Sequence, residues 1–516
     1  MKIIMKKLNI KYLVALWIWA PLFIVSCDKG FEEENTNPDA STQVEPEYMF
    51  TKSLYDALNN STGTVYEFSA GGFVQHFATY LEVPGLGDKY VYTSGTYPYA
   101  YFSGAYVDGI NEIGKVVNVL EGDEDKVNMH AIASIWKVYI FHRVTDLYGM
   151  IPYTEAVTAY GEGNYSPAYD TQEDIYKNML STLQTAIDAF DSSKETFGSG
   201  DLIYGGDIAK WRKFAYSLML RLAMRMTKVD AASAQTWAQT AIAGGVIENT
   251  ADEAIIPYAG GQEINSNPIS FQLRNNNYSA SNGGSSNTEG GKFSATFIDY
   301  LKENNDPRLT SIAAVWVNGS QDTTTALQQG MSNGLVNKPG NFGELSEPNL
   351  ETFLSLTASL TVMGSAEMNL LLAESTARGW AQGDPATYYE KAITNAMNNM
   401  GALYGNAAAI PAGKIQDYID SHPLPSSFDE QMEAIHTQFW ASVFPDEIEV
   451  YSNWRRTGYP ELTPVDVTGN LTNGTIPRRL TYPPSEISVN TESYQEAIKV
   501  QGADTFVTRV WWDVEQ

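Results

Sequence analysis

The sequence holds one cysteine, Cys27, in 516 residues, so no intramolecular disulfide can form and a disulfide-stapled secreted scaffold is excluded. Histidine is scarce as well. His76, His130, His142, His422 and His436 include no pair at i, i+4 and no His-Glu-x-x-His, which leaves a zinc-hydrolase site without support. Basic residues are outnumbered, 33 Lys and Arg against 61 Asp and Glu, for a formal net charge of −28. Phosphate backbones demand clustered cations, so nucleic acid is excluded as a partner. A Gly-x-Ser-x-Gly elbow is missing. Gly290-Gly291-Lys292 lacks P-loop spacing, and Phe293 stands where a magnesium-holding Ser or Thr is needed. Asp123-Glu124-Asp125 lacks the spacing and central glycine of a calcium loop. Carboxylates are too many for a glycosidase pair to be singled out by sequence. No catalytic residue, metal or cofactor is thus indicated.

What is present begins with a targeting segment. Lys2, Lys6, Lys7 and Lys11 form a basic stretch, followed by the apolar run Leu13 to Val25. That run is about a dozen residues, short of the roughly 20 that span a bilayer, so a lasting transmembrane helix is not expected. It ends in Ile24-Val25-Ser26-Cys27, which is similar to a bacterial lipobox. The expected organisation is a signal peptide at 1–26, a lipidated tether at 27–45 and a body at 46–516. Acyl chains on Cys27 would anchor that body, since each buried methylene contributes about 0.8 kcal/mol. The tether, with Asp28-Lys29-Gly30-Phe31-Glu32-Glu33-Glu34, has too little apolar surface to order itself. Removing the leader takes away four lysines and no acid, making the remainder still more negative.

Along the body, apolar residues recur at helical steps. Ile175, Met179, Leu183, Ala186, Ile187 and Phe190 mark one helix. Trp211 to Met226 is a more apolar one, with Phe214, Leu218, Leu222 and Met226 in a row broken by Arg212, Arg221 and Arg225. Further helices are predicted over Glu47 to Asn59, Tyr66 to Leu81, Val107 to Leu120, Val127 to Leu147, Ala231 to Ala243, Ser365 to Trp380, Ala386 to Met400 and Phe428 to Phe444. Gly379 stopping one helix and Pro385 starting the next give Ala366 to Met400 the form of a tetratricopeptide-type hairpin. The fold class is therefore all-α dominated, with long irregular insertions at 83–106, 259–292 and 318–349.

The first insertion carries Tyr90, Tyr92, Tyr97, Tyr99, Tyr101, Phe102 and Tyr106. Sugar rings present apolar C–H faces and a rim of hydroxyls, so flat aromatics with Asn, Gln or Arg beside them suit a carbohydrate. Tyrosine is equally suited to a partner protein or to packing the loop, and the three readings stay open. Arg274, Asn276 and Tyr278 form a second candidate group.

In sequence order come Asn35-Thr36-Asn37-Pro38, Asp146-Leu147-Tyr148-Gly149-Met150-Ile151-Pro152-Tyr153, Gly206-Asp207 through Lys213-Phe214, Leu220-Arg221-Leu222-Ala223-Met224-Arg225, and Ala366-Glu367 with Ala373-Glu374. Arg378-Gly379-Trp380, Trp454-Arg455-Arg456-Thr457-Gly458-Tyr459-Pro460, Arg478-Arg479-Leu480-Thr481-Tyr482-Pro483 and Val510-Trp511-Trp512-Asp513 follow. In this order the chain resembles, nearly end to end, the SusD/RagB family of outer-membrane lipoproteins, in particular its second SusD-like subgroup. The resemblance implies an alpha-alpha superhelix of degenerate tetratricopeptide-like hairpins at the cell surface. It implies a non-enzymatic subunit that binds oligosaccharide and delivers it to a SusC-like TonB-dependent transporter. The alternatives are a peptide-uptake subunit and a transporter-bound scaffold without glycan specificity. Family platforms lie on loops in the N-terminal third and near the middle, where Tyr90, Tyr92, Tyr97, Tyr99, Tyr101 and Arg274, Asn276, Tyr278 fall. Asp146, Arg221, Arg225, Arg455 and Arg456 read instead as buried polar residues that need partners.

Replacing the anchor residue, Cys27→Ala, is expected to release the protein from the membrane fraction and abolish incorporation of labelled fatty acid. Undiminished labelling in that variant would sink the anchor assignment.

Overall fold

Val127–Tyr148 (α3) is apolar on every side, as a helix must be when neighbours surround it, and nearly all of it is buried. The computed structural model describes residues 45–60, 65, 69–80, 86–91, 99–157, 163–276 and 291–515. The leader, Cys27 and the tether lie outside the described residues. Before α3 come Pro46–Asn59 (α1) and Asn111–Leu120 (α2), which pack on each other, with α2 also against α3. After it come Gln172–Ala189 (α4), Ile208–Arg225 (α5) and Ala231–Gly244 (α6). The two helices of each pair, α3/α4 and α5/α6, pack against each other, and α4 joins the pairs by packing on α5.

Their starts are written in the sequence. Thr171 accepts a hydrogen bond from the Asp174 amide, and Asp207 accepts from the amides of Ala209 and Lys210, satisfying donors that a helix leaves unpaired. Later helices are Pro268–Asn276 (α7), Ala295–Glu303 (α8), Ser365–Ala377 (α9), Pro385–Asn398 (α10), Ala412–Ser421 (α11), Phe428–Ser442 (α12), Glu447–Thr457 (α13) and Thr491–Gln501 (α14). The predicted α9/α10 hairpin is present. Gly379 takes φ +74°, a value that costs a side-chain-bearing residue, and Asp384 caps α10 ahead of Pro385. Helix α5 packs on α9, α9 on α12, α12 on α13, and α13 returns to α3. The described residues thus form the helix-dominated superhelix expected.

Two expectations are corrected. Tyr66 to Leu81 is not one helix: its described part is a single turn, Ala70–Phe73, then strand Phe77–Thr79 (β1). A Cβ on Gly72 would lie 2.6 Å from the Gly87 backbone, so the turn exists to let two chain segments touch. The insertions 259–292 and 318–349 are not wholly irregular. Beside α7 they supply Gly291–Phe293 (β2), which pairs antiparallel with β1, and Ser320–Asp322 and Glu347–Pro348 on either side of Ala313–Val317. Strands of two to five residues give too little alternation to be read from sequence. Phe77 stands opposite Phe293, and a small apolar cluster of Ala78, Met331, Phe342 and Leu345 holds the 318–349 insertion down.

Helix α13 is polar in composition, yet every residue of it is buried. Its charges explain this. Arg225 of α5 donates to Glu449 at 2.6 Å and lies 3.3 Å from Asp146 of α3. Arg221 donates twice to Glu367 of α9, at 2.7 and 2.6 Å, and sits 3.3 Å from Glu449. Arg456 forms a two-point bond to Glu374 of α9 at 2.8 and 2.7 Å. Asp146 also accepts from the Trp512 indole at 3.0 Å and from the Tyr176 hydroxyl. Among the described residues Arg455 has no carboxylate in hydrogen-bond contact; its guanidinium lies over Tyr451 and Trp512, 4.0 and 4.7 Å from the ring centroids, and donates to the Arg478 carbonyl.

Removing one member of this set strands a buried charge, so Glu449→Gln is expected to lower unfolding stability by about 3–5 kcal/mol in a urea titration with an unchanged slope. A loss under 1 kcal/mol would contradict it. Burial pushes the Glu374 carboxyl up, but Arg456, His436 and Arg378 outweigh it and hold the group well below its usual range. A depressed folded pKa means the pairing is fully stabilising above the ordinary carboxylate value and weakens as pH falls beneath it. Glu374→Gln should therefore flatten the acid limb of the stability profile.

Candidate functional site

The tyrosine-rich segment is divided by its packing. Tyr90 sits past the turn Leu86–Lys89 at φ +56°, fully buried. Its ring meets Phe73 edge-on at 6.4 Å, its carbonyl accepts from the Leu471 amide at 2.9 Å, and its hydroxyl accepts from the Val465 amide at 3.4 Å. Burial pushes the phenol up to about 12. Tyr90 is a pin between distant chain segments. Tyr101, in the short helix Ala100–Gly104, is also buried, and its carbonyl accepts from the Asn60 amide nitrogen at 2.8 Å. It lines a void of about 30 Å³ with Asn60, Tyr139, Arg143 and Asp446. The expectation that these two rings are ligand platforms is corrected here, because neither has a face in solvent. Tyr99 precedes that helix and is half-buried. Tyr92 and Tyr97 lie outside the described residues.

The second group follows the same division. In α7, Ile269 and Leu273 face the core, and Asn267 caps the helix by accepting from the Ser270 amide. Arg274 is half-buried and donates to the Leu354 carbonyl at 3.2 Å; burial lowers its pKa. Asn276 is the last residue of α7, with its side chain outside the described residues, and Tyr278 lies outside them altogether.

What the structure brings together is the frame of the two groups. Helix α7 touches α1, and the Asn60 that follows α1 holds Tyr101 two residues from Tyr99. Sequence reasoning missed two half-buried tyrosines here, Tyr55 on α1 and Tyr258 ahead of the second insertion, which are near enough to influence each other electrostatically, with Glu263 acting on Tyr55. The only available signal was that Tyr258 borders Ala259, where the insertion begins.

Behind this frame, strand Leu360–Met363, paired antiparallel with Ala254–Ile256, walls a cavity of about 100 Å³. Ile269, Phe297, Phe353, Tyr404 and Phe444 line it. Glu253 borders it, its carboxylate accepting from Ser365 Oγ at 2.6 Å and Asn399 Nδ2 at 2.5 Å, with burial pushing the carboxyl up. Pockets for small molecules run to about 300–1,000 Å³, so neither hollow admits a saccharide. Binding on this side would use an open face of rings and amides. Among the described residues no group of three or more His, Cys, Asp or Glu is placed to hold a metal ion, and no helix is long and apolar enough to cross a membrane.

Comparison with known proteins follows the same outline. A family described as starch-binding and associating with the outer membrane, SusD-like, matches residues 38–483. Among solved structures, one described as a chitin-binding protein is 30% identical, with 91% of this chain and 100% of that chain covered and a TM-score of 0.79. A SusD homolog from Bacteroides uniformis is 26% identical over 90% of this chain and 99% of its own, at TM-score 0.72. A Bacteroidetes SusD-like protein shares the fold at TM-score 0.81 and 24% identity, covering 92% and 100%. No curated protein matches the sequence.

The buried and half-buried tyrosines should separate on substitution. Tyr90→Ala is expected to cost about 3–5 kcal/mol, the range for large aromatics in a core, while Tyr99→Ala costs under about 1. Thermal unfolding of the two variants side by side checks this; equal melting shifts would remove the distinction.

Proposed function

The chain belongs to the SusD-like family, starch-binding and associating with the outer membrane, and on that premise we propose that it captures an oligosaccharide at the cell surface and passes it to a SusC-like TonB-dependent transporter. Acyl chains on Cys27 hold it to the outer membrane. The observation that carries the ligand class is the 30% identical relative described as chitin-binding, which is covered along its whole length. Oligomers of N-acetylglucosamine are accordingly the first ligand to test.

Capture of such a ligand needs no bond to break. It needs apolar faces for the pyranose rings and amide or guanidinium groups for the hydroxyls and acetamides. Tyr99 supplies a ring near the end of α1, with Tyr92 and Tyr97 before it in the chain. Arg274 supplies a guanidinium from α7, with Asn276 and Tyr278 after it in the chain. Contact between α1 and α7 sets the spacing between Tyr99 and Arg274. A neutral ligand bound this way gains nothing from long-range charge, so its affinity should be insensitive to salt.

Calorimetry with chitohexaose tests the reading. Binding that is unchanged between low and high salt is expected, with Tyr99→Ala weakening it about tenfold, or 1.4 kcal/mol. No heat with chitin oligomers, starch oligomers or any member of a glycan panel would overturn glycan capture; binding untouched by Tyr99→Ala would overturn the site.

A further inference from the structure

A cleft of about 450 Å³ opens where the C-terminal ends of α5, α9 and α13 approach the first turns of α12. Its volume falls within the range of small-molecule pockets, unlike the two hollows behind α1. Cations line its wall: Lys228, Arg378 and Arg456. Two are already engaged. Arg456 makes its two-point bond to Glu374, and Arg378 reaches the same carboxylate at 2.9 Å. Buried His436 lies 3.3 Å from it as well, and burial lowers the imidazole pKa. Glu374 is therefore shared by two guanidinium groups, with an imidazole beside them.

Lys228 is the third cation. Among the described residues no carboxylate lies within ion-pair distance of it, although the chain as a whole is strongly acidic. Desolvation at the cleft wall and the repulsion of Arg456, Arg478 and Arg378, against the opposing pull of Asp513, bring its ammonium down to about 8. Lys228 is exposed at the cleft, and of the charges acting on it three are guanidinium groups and one, Asp513, is a carboxylate. The negative charge of the distant surface is screened within about 8 Å at physiological salt, so these local cations decide what sign of ligand is favoured. Asp429 and Glu515, both exposed, stand at the rim.

Aromatic faces border the same cations. The Arg378 guanidinium lies between Trp380 and Phe428, 5.6 Å from each ring centroid. Phe428 is 44% exposed, far more than a packed phenylalanine, and half-buried Tyr459 lines the cleft. Stacked on rings, Arg378 is oriented without using all its donors.

We propose that this cleft is a second ligand site, taking a carboxylate-bearing sugar of the hexuronate class, with the carboxylate at Lys228 and Arg378 and the ring face on Phe428 or Tyr459. Preference for an anion follows from the cleft itself. Preference for a sugar over another carboxylate rests on the glycan reading above, and the two are separable.

The test is calorimetry of the full-length protein with trigalacturonate, with the neutral trisaccharide maltotriose and acetate as comparators and chitohexaose as the reference ligand. Expected is binding of trigalacturonate at least tenfold tighter than of maltotriose, weakened by salt. It should also fall from pH 7 to pH 9, because the anion favours protonated Lys228 and that proton is lost in this interval. Lys228→Gln should reduce affinity at least fivefold and abolish the pH dependence, leaving the melting temperature and chitohexaose binding unchanged. Phe428→Ala, at an exposed position, should reduce trigalacturonate affinity alone. Absence of trigalacturonate binding, or binding indifferent to both substitutions, overturns the site while leaving the chitohexaose result to stand by itself. Acetate binding as tightly as trigalacturonate overturns the sugar part.

Discussion

Buried charge pairing is the constraint on which the rest of the structure depends. Arg221 and Arg225, one turn apart on α5, reach Glu367 on α9, Glu449 on α13 and Asp146 on α3, so four helices converge on two guanidinium groups. Taking such ions out of water costs several kcal/mol each, and only well-formed pairs with their remaining donors satisfied offset that. The pairing therefore tolerates few arrangements of the helices. Hydrophobic contact supplies most of the driving force, but it is indifferent to small slides and rotations that these bonds forbid.

A body held this firmly can carry chemistry on the segments between its helices. Tyr90, Asn60 and Asn267 spend their polar groups on backbone, fixing where the insertions leave the core. Two surfaces of different character result. The face around α1 and α7 is built of half-buried tyrosines, amides and one guanidinium, without a deep hollow. The cleft at the ends of α5, α9 and α13 is a true concavity in which one carboxylate serves several cations. The proposed neutral sugar belongs to the first and the proposed anion to the second, for opposite electrostatic reasons.

Helices with one apolar face were legible because a 3.6-residue period is a local property; α4 and α5 lie within three residues of their predicted bounds. Helix α13 was not, since Glu447, Glu449, Asn453, Arg455 and Arg456 destroy the apolar pattern although all are buried. Tyr66 to Leu81 misled in the other direction: its spacing suited a helix, but close approach at Gly72 and pairing of β1 with β2 prevailed. The candidate site was legible only as regions. Tyrosine density marks a segment that matters, yet nothing in that density separates Tyr90, walled in by Phe73 and Val465, from half-buried Tyr99 two residues before Tyr101.

By itself the sequence determined the helical class, most helix positions, the hairpin turn at Gly379 and Pro385, and the need of Arg221, Arg225 and Arg456 for partners. Tertiary structure alone decided who those partners are, which aromatic rings keep a free face, and that Lys228 stands beside Arg378 and Phe428. The physical reason is range. Helical periodicity is set by neighbours three or four residues away, whereas the arginines of α5 find their carboxylates 79, 146 and 224 residues distant, and no local pattern encodes such a meeting.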